Sequence, residues 1–474
     1  MKAEPKIVEV QPFGGFNQEL SYGVPVALVN KVQVGCLVRI TLGNRRLTGM
    51  ITSLESRENK ADFKIKFISS LVQNEPVLNL ELIQLARWMC TYYYTSIESV
   101  LEGMIPAAVK VGMSEKKSRY LIKVPINDLK EVEKKLGNSP QQKKLFSYIQ
   151  NSSAPIPLNE TLTKLGIGIS SANGLVKKQL ISEVHQKVER SAYDDEFTDS
   201  DEHISSIITL TDEQQIASQE ILQIISENKF RSHLLQGVTG SGKTEVYFQA
   251  MEETLSKGGG VLFLVPEVAL APQTVGRLRN RFSKQNENVV VWHSHLSDGE
   301  RLDAWSSLTT GRSRIVVGAR SAIFAPVQNL KLIIVDEEHE PSYKQEENPR
   351  YHGRDVAVYR AKLNEAVCLL GSATPSMESL HNVNTGKYSK SMLTKRIDGR
   401  ELPLVHLVDM RKETKREKAP PILSQQLVEA LRERYYNREQ SILFLNRRGF
   451  NTTMMCPDCG DVQQCKDCSI SMTY

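Results

Sequence analysis

The sequence has 474 residues, 40% of them hydrophobic and 24% charged, which suits about three domains with true apolar cores. A net charge of +5 permits nucleic-acid binding without arguing for it. The longest apolar runs, residues 261–265 and 332–335, are strand-sized, and residues 1–11 carry charges with no apolar signal core; a cytoplasmic location without membrane contact is the default expectation.

In residues 1–108, early alternation of apolar and polar positions (Leu28 and Val29; Leu37, Val38 and Ile40; Met50 and Ile51) is punctuated by Gly35 and Gly43-Asn44. That pattern predicts a small β-barrel-like unit, followed by an aromatic-bearing helix over about 80–94. Residues 118–190 are helix-rich. Ser139-Pro140 opens a helix carrying Leu145, Tyr148 and Ile149, a second runs near 158–165, and Ser170 or Ser171 caps a third before a short strand at Leu180-Ile181. Three helices and a hairpin make a winged helix; a plain helical linker domain fits the same pattern. The acidic residues Asp194, Asp195, Glu196, Asp199, Asp201 and Glu202 mark 191–204 as a linker.

Strands at 233–236, 261–265, 289–292, 314–317, 332–336 and 367–370 alternate with helical stretches through 205–395, the pattern of a parallel α/β sheet. In residues 396–474, the segment 411–418 is charge-rich and 441–445 reads as one further strand.

Three constellations carry chemistry. Gly237-Val238-Thr239-Gly240-Ser241-Gly242-Lys243-Thr244 is a complete phosphate-binding loop between a strand and a helix. Its glycines let backbone N–H groups close on phosphate oxygens, Lys243 reaches the β- and γ-phosphates of ATP, and Thr244 ligates Mg²⁺. About ninety residues on, Asp336-Glu337-Glu338-His339 ends an apolar strand. There Asp336 can hold Mg²⁺ and Glu337 can orient and deprotonate the attacking water. Third, Cys456, Cys459, Cys465 and Cys468 form two knuckles with the spacing of a tetrahedral Zn²⁺ site.

The pairing of that Asp-Glu-Glu-His box with Gly371-Ser372-Ala373-Thr374-Pro375-Ser376 resembles the superfamily-2 helicases. Further stretches match in family order: Leu210 to Gln214 (an adenine-reading motif), Val265 to Gln273, His293-Ser294 and Gly318 to Pro326 with Arg320 (strand-contacting motifs), and Ser441 to Phe450 (the start of a second lobe). Within that superfamily the chain is similar to the bacterial replication-restart helicases, by the aromatic-rich segment Pro341 to Arg354, the cysteine cluster and the N-terminal unit. The resemblance implies a RecA-like lobe with catalytic Lys243, Asp336, Glu337 and His339. It implies DNA contacts from Tyr343, Arg350, Tyr351 and Arg354, and 3′-end capture by Tyr22, Gly35 and Lys66. Gly35 fits a simple turn equally well. Where most members carry Phe-Asp-Tyr, this chain reads Leu20-Ser21-Tyr22.

The family carries eight such cysteines and a full second lobe that supplies arginines to the γ-phosphate. Residues beyond about 420 are therefore expected to pack poorly by themselves. Partners implied are forked and single-stranded DNA, restart proteins and single-stranded-DNA-binding protein. Competing readings are a non-catalytic DNA- and nucleotide-binding fragment, and a superfamily-2 translocase of RecG or restriction-subunit type.

Overall fold

A computed structural model describes residues 6–54, 65–112, 117–125, 132, 135–152, 154–187, 209–266, 272–283, 287–293, 296–399, 404–410, 422–444 and 463. The acidic linker 191–204 and the four clustered cysteines lie outside the described residues. Two compact units result, residues 1–399 and 400–474.

The first unit begins with five strands: β1 (Ile7–Pro12), β2 (Leu20–Gly23), β3 (Leu37–Leu42), β4 (Arg45–Ser53) and β5 (Ser70–Leu71). They form an antiparallel sheet in the order β2-β1-β4-β3-β5. Gly23 of β2 also bridges to Phe67, which leads into β5, so its two edges are linked. Alternate apolar residues (Val8, Val10, Val38, Ile40) fill the interior of this sheet. Helices Leu80–Tyr93, Ile97–Met104 and Ala107–Lys110 follow.

Next, β6 (Lys117–Lys123), β7 (Ile156–Pro157) and β8 (Ile181–Lys187) form a sheet in the order β7-β6-β8, with helices Pro140–Gln150, Leu158–Leu165 and Ile169–Lys177 packed in one apolar cluster. The strand expected at Leu180-Ile181 is real, but it pairs antiparallel with the earlier β6.

The largest sheet holds β9 (Arg231–Gly237), β10 (Gly260–Leu264), β11 (Val289–Trp292), β12 (Ile315–Gly318), β13 (Leu330–Val335), β16 (Val367–Ser372) and β17 (Ser389–Leu393). All are parallel, in the order β11-β12-β10-β13-β16-β9-β17. Six match the expected strands; β17 has no apolar run to announce it and adds to the edge of β9. Central strands are buried on both faces, as parallel sheets require. Leu262, Leu264, Ile333, Val335 and Leu370 face one layer, and Val261, Phe263, Leu332, Ile334 and Leu369 face the other. Burial of each such side chain contributes about 1.5–3 kcal/mol.

The first layer is shared. Leu82, Leu85, Met89, Leu101 and Val109 of the N-terminal helices lie in the same apolar cluster as Leu262, Ile333 and Leu370. The junction is locked by the fully buried Arg360, whose Nε and Nη2 donate to Glu81 at 2.8 and 3.3 Å. Trp88 stacks on Tyr359 with ring centroids 4.0 Å apart.

The aromatic-rich segment folds back as a short hairpin, β14 (Lys344–Gln345) with β15 (Tyr351–His352), before the helix Gly353–Leu363. In the second unit, helix Gln425–Tyr436 is capped by Ser424 and buries no residue. Residues 441–444 are not a strand, correcting the expectation: Ile442 is 96% and Phe444 86% exposed, and the described residues give them no neighbouring strand. Poor packing beyond 420 holds for these described parts. Among the described residues no helix is long and apolar enough to cross a membrane.

Candidate nucleotide site and DNA interface

Adjacent strands of the parallel sheet end side by side at the site: β9 runs into the phosphate loop, β13 into Asp336 and Glu337, and β16, which lies between them, into the Gly371 to Ser376 turn. Lys243 opens the helix Lys243–Ser256 and is only 8% exposed; its ammonium donates to the Gly237 carbonyl at 3.0 Å and lies 3.6 Å from the Glu337 carboxylate. Thr244, in the same first turn, is exposed. Gly240 and Gly242 both take positive φ, at 80° and 78°.

Asp336 accepts from the Tyr247 hydroxyl at 2.9 Å, and its backbone carbonyl accepts from the Tyr343 hydroxyl at 2.7 Å. Burial, then the Glu337 charge, push the Asp336 carboxyl above its ordinary range. A buried carboxyl so raised gains from a cation, and Thr244 is exposed in the first turn of the helix whose Tyr247 reaches Asp336; carboxylate and hydroxyl oxygens are donor types that fit Mg²⁺. Glu337 sits in left-handed backbone, φ 44°, an unfavourable conformation for a side chain of its kind that occurs at functional turns. His339 spans to the Gly371 to Ser376 turn, its Nδ1 2.8 Å from Ser372 Oγ and its Nε2 3.4 Å from Thr374 Oγ1.

Gln214 is buried, with both ends of its amide engaged. Its Oε1 accepts from Thr211 N at 2.9 Å in a capping box, and its Nε2 donates to the Ser241 carbonyl at 2.8 Å. It ties the helix Asp212–Ser226 to the phosphate loop. Gly237, Thr239, Gly240, Ser241, Gly242 and Thr244 fall together in that loop, as expected from sequence.

The expected DNA contacts divide. Tyr343 and Tyr351 are buried, the first under Asp336 and the second against Phe324, which leaves neither ring a face for a base. Arg354 is buried too, donating to Glu338 at 3.1 Å and to Ser376 Oγ at 2.6 Å. Glu338 is fully buried and also accepts from Ser376 N and Ser379 Oγ, at 2.7 and 3.0 Å. Tyr343 and Arg354 therefore join this segment to the carboxylate box and its facing turn, while Tyr351 packs on Phe324. Arg320 holds the hairpin through the Ser342 and Lys344 carbonyls, at 3.0 and 2.6 Å. Arg350 alone of the four expected loop contacts is exposed.

In the first sheet Tyr22 is buried with its hydroxyl 3.4 Å from the Thr41 carbonyl, Ser21 donates to Glu9 at 2.7 Å, and exposed Lys66 lies 3.3 Å from the Gly43 carbonyl. Gly43, not Gly35, is the glycine beside Lys66. Gly35 has φ 87°, and a Cβ there would lie 1.7 Å from the Leu78 carbonyl oxygen, so its glycine serves a tight turn. Sequence reasoning missed Tyr247, and it saw Glu338 only as part of the box and not as the partner of Arg354, Ser376 and Ser379. Each is an ordinary polar residue whose partner is distant in sequence.

Residues 211–383 match the DEAD/DEAH box helicase model, and residues 7–106 match a 3′ DNA-binding domain model. The described fold thus carries a helicase domain of the DEAD/DEAH box class behind a domain that matches the 3′ DNA-binding model. Replication restart protein PriA of Bacillus subtilis (strain 168) is 34% identical over 97% of this chain and 64% of its own length. That of Chlamydia trachomatis serovar D is 35% identical over 98% of this chain and 62% of its own. The chain is thus similar over nearly its whole length to proteins named replication restart protein PriA, and it spans somewhat under two thirds of their length. A structure of RecG bound to a three-way DNA junction is similar at 26% identity and a TM-score of 0.36, covering 49% of this chain and 29% of that one.

Proposed function

We propose that this chain belongs to an ATP-dependent DNA helicase that moves 3′→5′ on single strands, recognises abandoned replication forks and starts primosome assembly there. One observation carries the reading. A complete phosphate loop and the Asp336-Glu337 carboxylates meet on one parallel sheet, with Lys243 3.6 Å from Glu337. Lys243 and Thr244 hold the triphosphate end, Asp336 and Thr244 hold Mg²⁺, and Glu337 takes the proton of the attacking water. Mg²⁺, when bound, neutralises charge on the β- and γ-phosphates. His339 passes the state of this site to the Gly371 to Ser376 turn.

The N-terminal sheet, read as a barrel, would receive the 3′ end of a strand through Tyr22, Gly35 and Lys66, with Ser21 standing where most members of the family carry Asp. Residues 118–190 would act as a winged helix. Cys456, Cys459, Cys465 and Cys468 would hold Zn²⁺, which metal analysis of the purified chain checks. Partners under this reading are forked DNA, other restart proteins and single-stranded-DNA-binding protein, in the cytoplasm.

The test is ATP turnover with and without forked DNA bearing a 3′ end. Fork-stimulated turnover abolished by Glu337→Gln is the expected result for a competent motor. Nucleotide and fork binding without turnover would instead establish the second reading, a binding module that needs further chain to hydrolyse ATP. The exposed helix Gln425–Tyr436 and residues 441–444 favour that second outcome for this polypeptide.

A further inference from the structure

Every carbonyl of residues 237–242 has a donor. Within the loop, Gly237 O takes Lys243 Nζ at 3.0 Å, Val238 O takes Ser241 N at 3.0 Å, and Gly242 O takes Glu245 N at 3.1 Å. The other three are satisfied from outside. Ser241 O takes Gln214 Nε2 at 2.8 Å, Thr239 O takes Arg396 Nε at 3.0 Å, and Gly240 O takes Ile397 N at 3.0 Å.

The donors Arg396 and Ile397 lie just beyond β17. That stretch is fixed at its start by Val238 N on Leu393 O, at 3.1 Å. Glu213 then accepts from Thr394 N at 2.7 Å, Thr394 Oγ1 at 2.5 Å and Lys395 N at 3.2 Å. The Thr394 hydroxyl holds the Glu213 carboxyl below the usual carboxylate range. Glu213 and Gln214 are neighbours in one helical turn. One therefore anchors the stretch and the other anchors the loop.

A trans peptide points its C=O and the following N–H in opposite directions. Holding the Thr239 and Ser241 carbonyls outward thus turns the N–H groups of Gly240 and Gly242 the other way, where phosphate-loop donors are needed.

We propose that residues 394–397, anchored by Glu213, brace the phosphate loop in its ligand-ready form, and that Arg396 is a positioning residue for nucleotide binding that acts through the Thr239 carbonyl. This rests on the reading of the loop as the nucleotide site. Arg396 does its work with Nε, so its positive charge is incidental to the brace.

The experiment is titration of the full chain with fluorescent ADP and Mg²⁺, with thermal melting to confirm folding. Arg396→Ala and Ile397→Pro, which removes the main-chain donor, should each weaken binding about three- to tenfold, the worth of one hydrogen bond. Arg396→Gln places an amide nitrogen where the arginine Nε stands and drops the charge; it should bind within about twofold of the parent if one donor is all that is required. Glu213→Gln should weaken binding, and combined with Arg396→Ala should cost less than the product of the two. A glutamine variant as weak as the alanine variant, with Ile397→Pro and Glu213→Gln normal, would place the Arg396 charge on the nucleotide and overturn the brace. Normal binding in all of these, with binding lost in Lys243→Ala, would also overturn it. Normal binding in Lys243→Ala as well would remove the nucleotide site itself.

Discussion

Tyr247→Phe removes one oxygen and tests how the carboxylate box is held. The Tyr247 side chain is fully buried, and its hydroxyl donates to Asp336 at 2.9 Å. Burial and the Asp336 charge push the phenol far above its ordinary range, so it remains a donor at any working pH. A hydrogen bond to a charged acceptor is worth about 1.5–3 kcal/mol, and that is the expected loss of stability. The Asp336 carboxyl, already raised by burial, loses an interaction that favours its charged form. Mg²⁺-dependent nucleotide binding should therefore weaken, and more so as pH falls, with DNA affinity retained. A second substitution completes a cycle. A Cβ on Gly371 would lie 1.6 Å from the Tyr247 hydroxyl oxygen and 2.7 Å from its ring carbon, so Gly371→Ala should cost about 1–3 kcal/mol by overpacking. In the Tyr247→Phe background the nearest clash is gone and the alanine should cost less, with a coupling of about 0.5–3 kcal/mol. Chemical denaturation of the four proteins measures it. Equal alanine costs in both backgrounds, with unchanged Mg²⁺ dependence, would refute the reasoning.

Two more perturbations read the scaffold. His233 joins β9 to β17 through Ser389 Oγ and Ser391 Oγ at 2.8 and 2.9 Å, and burial lowers its pKa from 6.5 to about 4. Between those values the unfolded chain binds a proton the folded one does not, so stability should fall by about 3 kcal/mol as pH drops through that window. Denaturation midpoints against pH should show that slope, and His233→Gln should flatten it; an unchanged slope would be the contrary result. Arg360→Ala strands the Glu81 carboxylate and opens a cavity at the junction, and should cost about 3–5 kcal/mol in thermal or denaturant unfolding. A loss under about 1 kcal/mol would mean that the Glu81 pair is solvated and incidental.

The chemistry at the strand ends was legible because it is local. A phosphate loop declares itself within eight residues, and the Asp-Glu-Glu-His box needs only its strand. Six strands of the parallel sheet declared themselves as apolar runs, since both faces are covered. β17 did not, because the edge strand Ser-Lys-Ser-Met-Leu opens with three polar residues in a row and shows neither an apolar run nor alternation. The aromatic hairpin misled for a physical reason. Composition cannot tell a tyrosine offered to a base from one whose hydroxyl serves a buried carbonyl, as in Tyr343. Arg354 has the same ambiguity, resolved by the wholly buried Glu338. The tie from Gln214 to the phosphate loop was not legible, because its hydrogen bond to Ser241 spans 27 residues of sequence. The turn between β3 and β4 brings the Gly43 carbonyl to Lys66, a contact that spans 23 residues and that no sequence pattern announces.

The apolar layer common to the N-terminal helices and the parallel sheet bears on how such a chain can be taken apart. Trimming at residue 110 would strip Leu82, Leu85 and Met89 from Leu262 and Ile333 and leave a greasy scar on the remaining lobe. A shortened helicase domain should therefore fail by clumping well before its chemistry could be judged. A transplant of the DNA-end module onto another motor would have to carry a matching counterpart of Tyr359 and Arg360 with it. Module and motor are, in this chain, a single mechanical part.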